Sequence, residues 1–409
     1  MTGAWPGAPV DEPYTGPPPM LRPRNPPYVA PWSQPQPRWV PAPVPLPPAR
    51  WEPPPGTPPH DVPRPFLQVM RTRDWAWWRP LLGLLLITVV YFVAATVVVL
   101  LALVTGVAPD LALLDLIDPA VLLITNLSLI IAVPVVWLAW AVAHGMRIGW
   151  SSSVLARLRW RLLMPFALIA LGTLGVGIGL SILLSFLSGE EQVTGPVPDF
   201  AWLLVVVLLT TPLQSAAEEY LFRGYLSQAI AGWFRAPGAG ALVAGLLTAT
   251  LFSLAHAPGD LPTFLDRFAF GLAASAVVWL TGGLEAAIVL HAVNNVLVFV
   301  LAGALGEGVA LAEVPDGAGL LYLAISLLTM AAYVMLVRRA ARRLCPETHT
   351  AAQDLRRPPA LLAAPVRRPA GPRGWCHPAL DRRVSSSAAL RGATHGVWGN
   401  WQPDGFWFR

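Results

Sequence analysis

Six polar side chains sit inside stretches that are otherwise almost wholly apolar: Glu218, Glu219, Arg223, His256, His291 and Asn295. The first three lie in the run Leu213 Gln214 Ser215 Ala216 Ala217 Glu218 Glu219 Tyr220 Leu221 Phe222 Arg223 Gly224. Each charge placed at mid-membrane costs about 2.5–3.5 kcal/mol on insertion scales, so such a run needs compensation. Glu219 and Arg223 are four residues apart, share a helical face and have an ion pair within reach. Glu218 points about 100° away and finds no partner in its own helix. The asymmetry separates a structural carboxylate from a reactive one suited to general-base work. His256 follows Phe252 by four residues in a second helix, and His291 and Asn295 share a face of a third. Three helices thus direct polar groups toward one interior.

The elements that must position these residues are read from hydropathy. The chain has 409 residues, is 55% hydrophobic and 12% charged, and has a mean hydropathy of +0.55. Soluble domains carry about a quarter charged residues, so lipid is the expected solvent. Runs able to span about 30 Å of hydrocarbon occur near 81–105, 119–143, 161–188, 200–230, 239–257, 264–281, 284–304 and 318–338. The expected fold is therefore all-α and polytopic, with about eight transmembrane helices. Arg71, Arg73 and Arg79, then Arg147, Arg157, Arg159 and Arg161, then Arg235, then Arg338, Arg339, Arg342 and Arg343 mark alternate ends. The other ends carry Asp110, Asp115, Asp118, Glu190, Glu191, Asp199, Asp260, Glu307, Glu313 and Asp316. By the positive-inside rule both termini are cytosolic.

Residues 1–66, with 24 prolines, are expected to be a disordered or polyproline-like cytosolic tail. Residues 346–409 are expected to form a second disordered tail. The net charge of +5 is accounted for by Arg in tails and alternate loops, which suits a membrane surface and not nucleic acid. Cys345 and Cys376 lack CxxC spacing and suggest neither a disulfide framework nor a thiolate metal site. Glu285 is read as an interfacial residue, and Asn294 as packing.

The ordered set Glu218-Glu219-x-x-x-Arg223, Phe252-x-x-x-His256 and His291-x-x-x-Asn295 resembles the CPBP family, intramembrane proteases related to CAAX prenyl endopeptidases and to bacteriocin-processing or immunity proteins. The stretch from Phe270 and Gly271 to Thr281, Gly282 and Gly283 resembles that family's small-residue helix and Thr-Gly turn. The resemblance covers about 200–300 and implies a division into helices 1–3 (67–199), a protease core of helices 4–7 (200–304), and helix 8 with a basic end (305–345), between the two tails. It implies an endopeptidase in which Glu218 activates water with His256, His291 and Asn295 stabilise the oxyanion, and Glu219 and Arg223 give structural support.

No cofactor is required in that reading. Glu218, His256 and His291 are also a donor set for Zn²⁺ or another divalent metal with an open water position, which stays as the alternative. The implied partners are a membrane-associated protein or peptide substrate and the lipid bilayer, with a polyproline-binding partner for the N-terminal tail as a further option. The competing functions are a non-catalytic immunity or scaffold protein and a proton-coupled transporter. The absence of a repeat between the halves speaks against the transporter. The implied location is the cell membrane.

Overall fold

Apolar runs become helices here where the sequence also supplies their ends. Asp118 caps one helix by accepting from the amides of Ala120 and Val121, and Asp260 caps another through Thr263; proline follows each cap within the first two positions. Gly145 and Gly282 close two helices in the left-handed conformation. The computed structural model describes residues 57–106, 117–188, 193–306 and 319–353, with the isolated Gly16.

Its helices are α1 (Arg79–Val104), α2 (Pro119–Ile130), α3 (Ala132–His144), α4 (Trp160–Ser188), α5 (Phe200–Leu221), a π-helical turn (Phe222–Leu226), α6 (Ser227–Gly232), α7 (Pro237–Ala255), α8 (Leu261–Thr281), α9 (Glu285–Leu305) and α10 (Gly319–Leu344). No strand occurs among the described residues. The α2–α3 break falls at Ile131, in the turn before Pro134, whose missing N–H cannot bond the Ile130 carbonyl. Counting α2–α3 and α5–α6 as one span each, the described residues contain eight helices long and apolar enough to cross a membrane. This is a multi-pass helical membrane protein.

α5 and α9 pack against each other at the centre, with α2 and α3 on α5, α4 and α8 on α9, and α7 and α10 on α8. Trp140, Tyr225, Tyr333 and Phe166 are fully buried between them, while Leu85, Phe92, Val93, Leu168 and Leu209 point outward. A large apolar exterior is what a lipid solvent requires. Trp77, Trp78, Trp160 and Trp233 are exposed at the Arg-rich end, as in an interfacial aromatic belt.

That end is closed by a cap of loops, and here two expectations change. Residues 1–56 and 354–409 (Gly16 apart) lie outside the described residues, but the inner ends of the expected tails are folded against each other. Thr350 N donates to Arg64 O and Gln353 N to His60 O, both at 2.9 Å, and Phe66, Leu67 and His60 are buried. Short segments without hydrophobic periodicity gain order through backbone pairing at a distance in sequence, which no local pattern announces.

Glu285 is fully buried and receives a forked pair of hydrogen bonds from Arg159: Nε to Oε1 at 2.9 Å and Nη2 to Oε2 at 2.6 Å. The Arg159 amide also donates to Oε1 at 2.8 Å. Arg159 Nη1 reaches Glu347 O at 2.8 Å, so one guanidinium ties the loop before α4, the start of α9 and the segment after α10. Gly283 must be glycine here, since a Cβ would fall 2.4 Å from Arg159 Nη2.

Two outcomes are expected. Glu285→Ala strands the buried guanidinium, which costs about 3–5 kcal/mol for a broken buried pair, read as a lowered unfolding midpoint in detergent; Arg159→Met with Glu285→Leu should recover much of the loss. The second concerns His60, whose Nε2 meets Val69 O at 2.8 Å and whose Nδ1 is buried without a partner. Burial holds its pKa below the ordinary 6.5 against the upward pull of that carbonyl, with Arg64 and Arg73 lowering it further and Asp61 opposing them. The unfolded chain therefore takes up the proton first. Cap stability is full above about pH 6.5 and declines as pH falls through that value toward the depressed folded pKa. Amide exchange at Gln353, corrected for intrinsic rate, should accelerate over that window in the native protein and not in His60→Gln.

Candidate active site

Glu218, Glu219, Arg223, His256 and His291 converge on the contact between α5, α7, α8 and α9. Glu219 and Arg223 are both fully buried, and Arg223 Nη1 donates to Glu219 Oε1 at 2.9 Å. Arg223 Nη2 donates to the Gly271 carbonyl of α8 at 3.1 Å. Its guanidinium carbon lies 4.8 Å from the ring centre of Phe252 in α7. His291 of α9 gives its Nδ1–H to Glu219 Oε1 at 3.0 Å, because a carboxylate oxygen there can only accept. One carboxylate and one guanidinium thus join three elements to α5.

Arg223 lies in the π-helical turn. Within this turn the Gly224 carbonyl is met by the Trp140 indole at 3.3 Å and the Gln228 side-chain amide at 3.2 Å. π-turns of this kind recur at functional sites.

Glu218 faces the other way, as its helical angle required. Its side chain is 13% exposed. Gln214, one turn earlier, donates its amide to Oε1. Oε2 is buried, accepts no protein hydrogen bond, and stands 3.7 Å from His291 Nε2 and 4.0 Å from His256 Nε2. His256 is the C-cap of α7, with Nδ1 donating to Phe252 O at 2.7 Å. In the neutral ring this tautomer leaves the Nε2 lone pair facing Glu218. At 33% exposure, His256 is the most open member of the group.

Asn295 does not touch Glu218 directly. Its Nδ2 points to Gln214 Oε1 at 3.3 Å and Ser215 Oγ at 3.4 Å, and its Oδ1 accepts from Asn294 at 3.2 Å. Phe252 is buried between the rings of Phe222, Phe270, His256 and His291, which makes it the packing centre that sets both imidazoles. Gln214 and Phe270 carry no titratable group and so escaped a search by charge. The four-residue offset of Gln214 from Glu218 was the available signal.

Depth follows from the helix rise. His291 is six residues beyond Glu285, where α9 begins under the cap, or about 9 Å into the bundle at 1.5 Å per residue. Against about 30 Å of hydrocarbon, the cluster lies in the half nearer the Arg-rich end.

A polytopic helical membrane protein with carboxylates, imidazoles and a guanidinium gathered in its interior is the class that fold and site define. Residues 198–297, the segment that carries all three motifs, match the family described as type II CAAX prenyl endopeptidase Rce1-like, a protease family. The resemblance drawn from the motifs is borne out over that segment. Among curated proteins, the uncharacterized protein YyaK of Bacillus subtilis is 26% identical over 185 residues, 44% of this chain and 60% of the relative. The chain thus matches about three fifths of that relative's length. No solved structure matches it.

Gly271 offers a direct test of how tightly the site is drawn together. A Cβ there would lie 2.8 Å from Ala249 Cα and 3.3 Å from Arg223 Nη2. Gly271→Ala is expected to force α8 from α7 and cost about 1–3 kcal/mol, seen as a lower unfolding midpoint, whereas Gly179→Ala, where nothing lies within 4 Å, should leave it within error.

Proposed function

We propose that this protein is an intramembrane endopeptidase that hydrolyses a peptide bond of a membrane-associated protein or peptide with a glutamate-activated water. The observation that carries the reading is Glu218 Oε2, shielded, without a protein donor, and opposite two imidazole Nε2 atoms inside the segment that matches the endopeptidase family. Glu218 Oε2 and His256 Nε2 are both acceptors at 4.0 Å, a separation that one water molecule spans by donating to each. Glu218 takes a proton as the water oxygen adds to the peptide carbonyl carbon, and returns it to the leaving amine as the C–N bond breaks.

The oxyanion formed on the way needs donors in a water-poor site. His291, whose Nδ1 is bonded to Glu219 and whose Nε2 faces Glu218 at 3.7 Å, is placed to supply one from Nε2 in its doubly protonated form. Asn295 supplies an Nδ2–H by exchanging one of its long contacts to Gln214 and Ser215. Glu219 and Arg223 keep α5 in register with α8 and α9.

A divalent metal such as Zn²⁺ is the second reading. Both imidazoles have Nδ1 committed to an acceptor and present Nε2 toward Glu218, the orientation that second-shell acceptors give to metal ligands. Among the described residues, however, no three His, Cys, Asp or Glu groups are drawn together closely enough to hold an ion. The metal-free mechanism is preferred. A transporter or a non-catalytic scaffold would share the burial but has no use for an oxyanion site.

The same reading has the protein in the cell membrane with the cap and both termini cytosolic, and the Arg-rich cap end supports it. The Pro-rich N-terminal segment would be free to bind a polyproline-recognising partner.

Purified protein in detergent is expected to cleave an internally quenched peptide, offered with and without a farnesylated cysteine. Glu218→Gln and His256→Ala should each lower kcat by about 10²–10⁴-fold, the usual worth of a general acid-base group, with unfolding midpoints unchanged. Full activity in both variants would overturn the assignment. Zinc at one equivalent, lost together with activity on chelation, would replace the metal-free mechanism by the metal one.

A further inference from the structure

We infer that Gln214 is the positioning residue of the site, the last link of a directed amide chain from α9 to α5 that fixes the plane of the Glu218 carboxylate, so that one oxygen is held and the other faces the two imidazoles. The inference rests on the reading of Glu218 as the base.

The direction of the chain follows from hydrogen-bond chemistry at its far end. A carboxylate can only accept, so the end of the Gln214 side chain that meets Glu218 Oε1 is Nε2. The carbonyl end then points back, where it is met by the Asn295 amide at 3.3 Å and the Ser215 hydroxyl at 3.3 Å. Asn295 is oriented in turn, since its Oδ1 accepts from Asn294 Nδ2 at 3.2 Å. Asn294, Asn295, Gln214 and Glu218 thus read as donor to acceptor in one sense, and reversing any amide would set two donors or two acceptors against each other. Gln214 is buried, at 5% exposure, so water does not readily replace it as the donor.

The consequence for Glu218 is a division between its two oxygens. Oε1 is held by a charge-assisted bond, the stronger class of hydrogen bond. Oε2 is left facing His256 Nε2 and His291 Nε2 without a donor of its own. A carboxylate on three rotatable bonds is otherwise free to turn about its last bond, and every position between the two equivalent settings takes the lone pair off the line toward the imidazoles. Gln214 removes that freedom. It also couples the base to α9, so the helix that bears His291 and Asn295 orients Glu218 as well.

The test uses variants that keep the length of the side chain and lose its donor, Met together with the carbonyl acceptor and Glu with an added negative charge beside Glu218. In Gln214→Met and Gln214→Glu, kcat on the quenched peptide is expected to fall at least tenfold with KM within about twofold; Gln214→Asn keeps a shortened donor and should lie between these and the native protein. Unfolding midpoints should stay close to native in Gln214→Met. A pure packing role predicts the opposite order, with Met near native and Asn worst. Native kcat in Gln214→Met, with Glu218→Gln inactive, sinks the inference and leaves the base assignment standing; activity in Glu218→Gln sinks the base assignment itself.

An infrared readout removes the dependence on substrate. The carboxylate stretch of Glu218, isolated as native minus Glu218→Gln, is expected to shift when the same difference is taken in the Gln214→Met background. An unmoved band overturns the proposal whether or not a peptide is cleaved.

Discussion

The structure depends on one buried ion pair. Glu219 and Arg223 are both fully withdrawn from solvent in a protein whose surroundings are hydrocarbon, so neither charge has water to fall back on. Their mutual bond is not enough by itself, because removing two ions from water costs more than a single contact returns. The remainder is supplied by groups that the fold must bring from elsewhere: the Gly271 carbonyl from α8, the His291 imidazole from α9 and the Phe252 ring from α7. The pair is therefore less a stabilising feature of α5 than a condition on the packing of three other helices. Meeting that condition places His291 and His256 beside Glu218. The site is a by-product of satisfying the structural carboxylate.

Two adjacent glutamates acquire opposite roles by this means. They differ by one helical step of about 100°, which turns one into the α7–α9 interior and the other toward the rim where His256 is exposed. The π-turn that follows carries Arg223, which bonds Glu219, and presents the Gly224 carbonyl to Trp140 of α3. Identity of residue type says nothing about role here; the partners that each angle makes available decide it.

Much of this was open to reading from sequence because hydrocarbon amplifies polar signals. Eight apolar runs gave helices within a few residues of those observed, and the ionisable residues inside them had few explanations. The i,i+4 spacing of Glu219 and Arg223 is a local geometric fact, and so is that of His291 and Asn295. What was not legible is pairing at long range. Glu285 looked interfacial and Arg159 looked like one more positive-inside loop residue, yet the two are separated by 126 positions and form a buried fork. The pairing of His60 and Arg64 with Gln353 and Thr350 belongs to the same class, since neither segment has periodicity of its own. Gln214 was hidden differently: its offset from Glu218 was visible, but the group that meets the other end of its amide, Asn295, comes from another helix.

The cap and the site are coupled through α9. That helix begins under the Arg159–Glu285 fork, has the Ala286 carbonyl bound by Tyr333 of α10 at 2.7 Å, and less than two turns from its start presents His291 to both carboxylates. A helix pinned at its start by a bidentate pair cannot slide or rotate freely, so the height of His291 is fixed about 9 Å away. Hydrolysis in lipid needs that rigidity more than hydrolysis in water does. A donor misplaced in a dry site has no solvent to compensate for it, and preorganised dipoles contribute in proportion to how little they must move. The distant fork is in that sense part of the mechanics of the proposed site, although it touches none of its atoms.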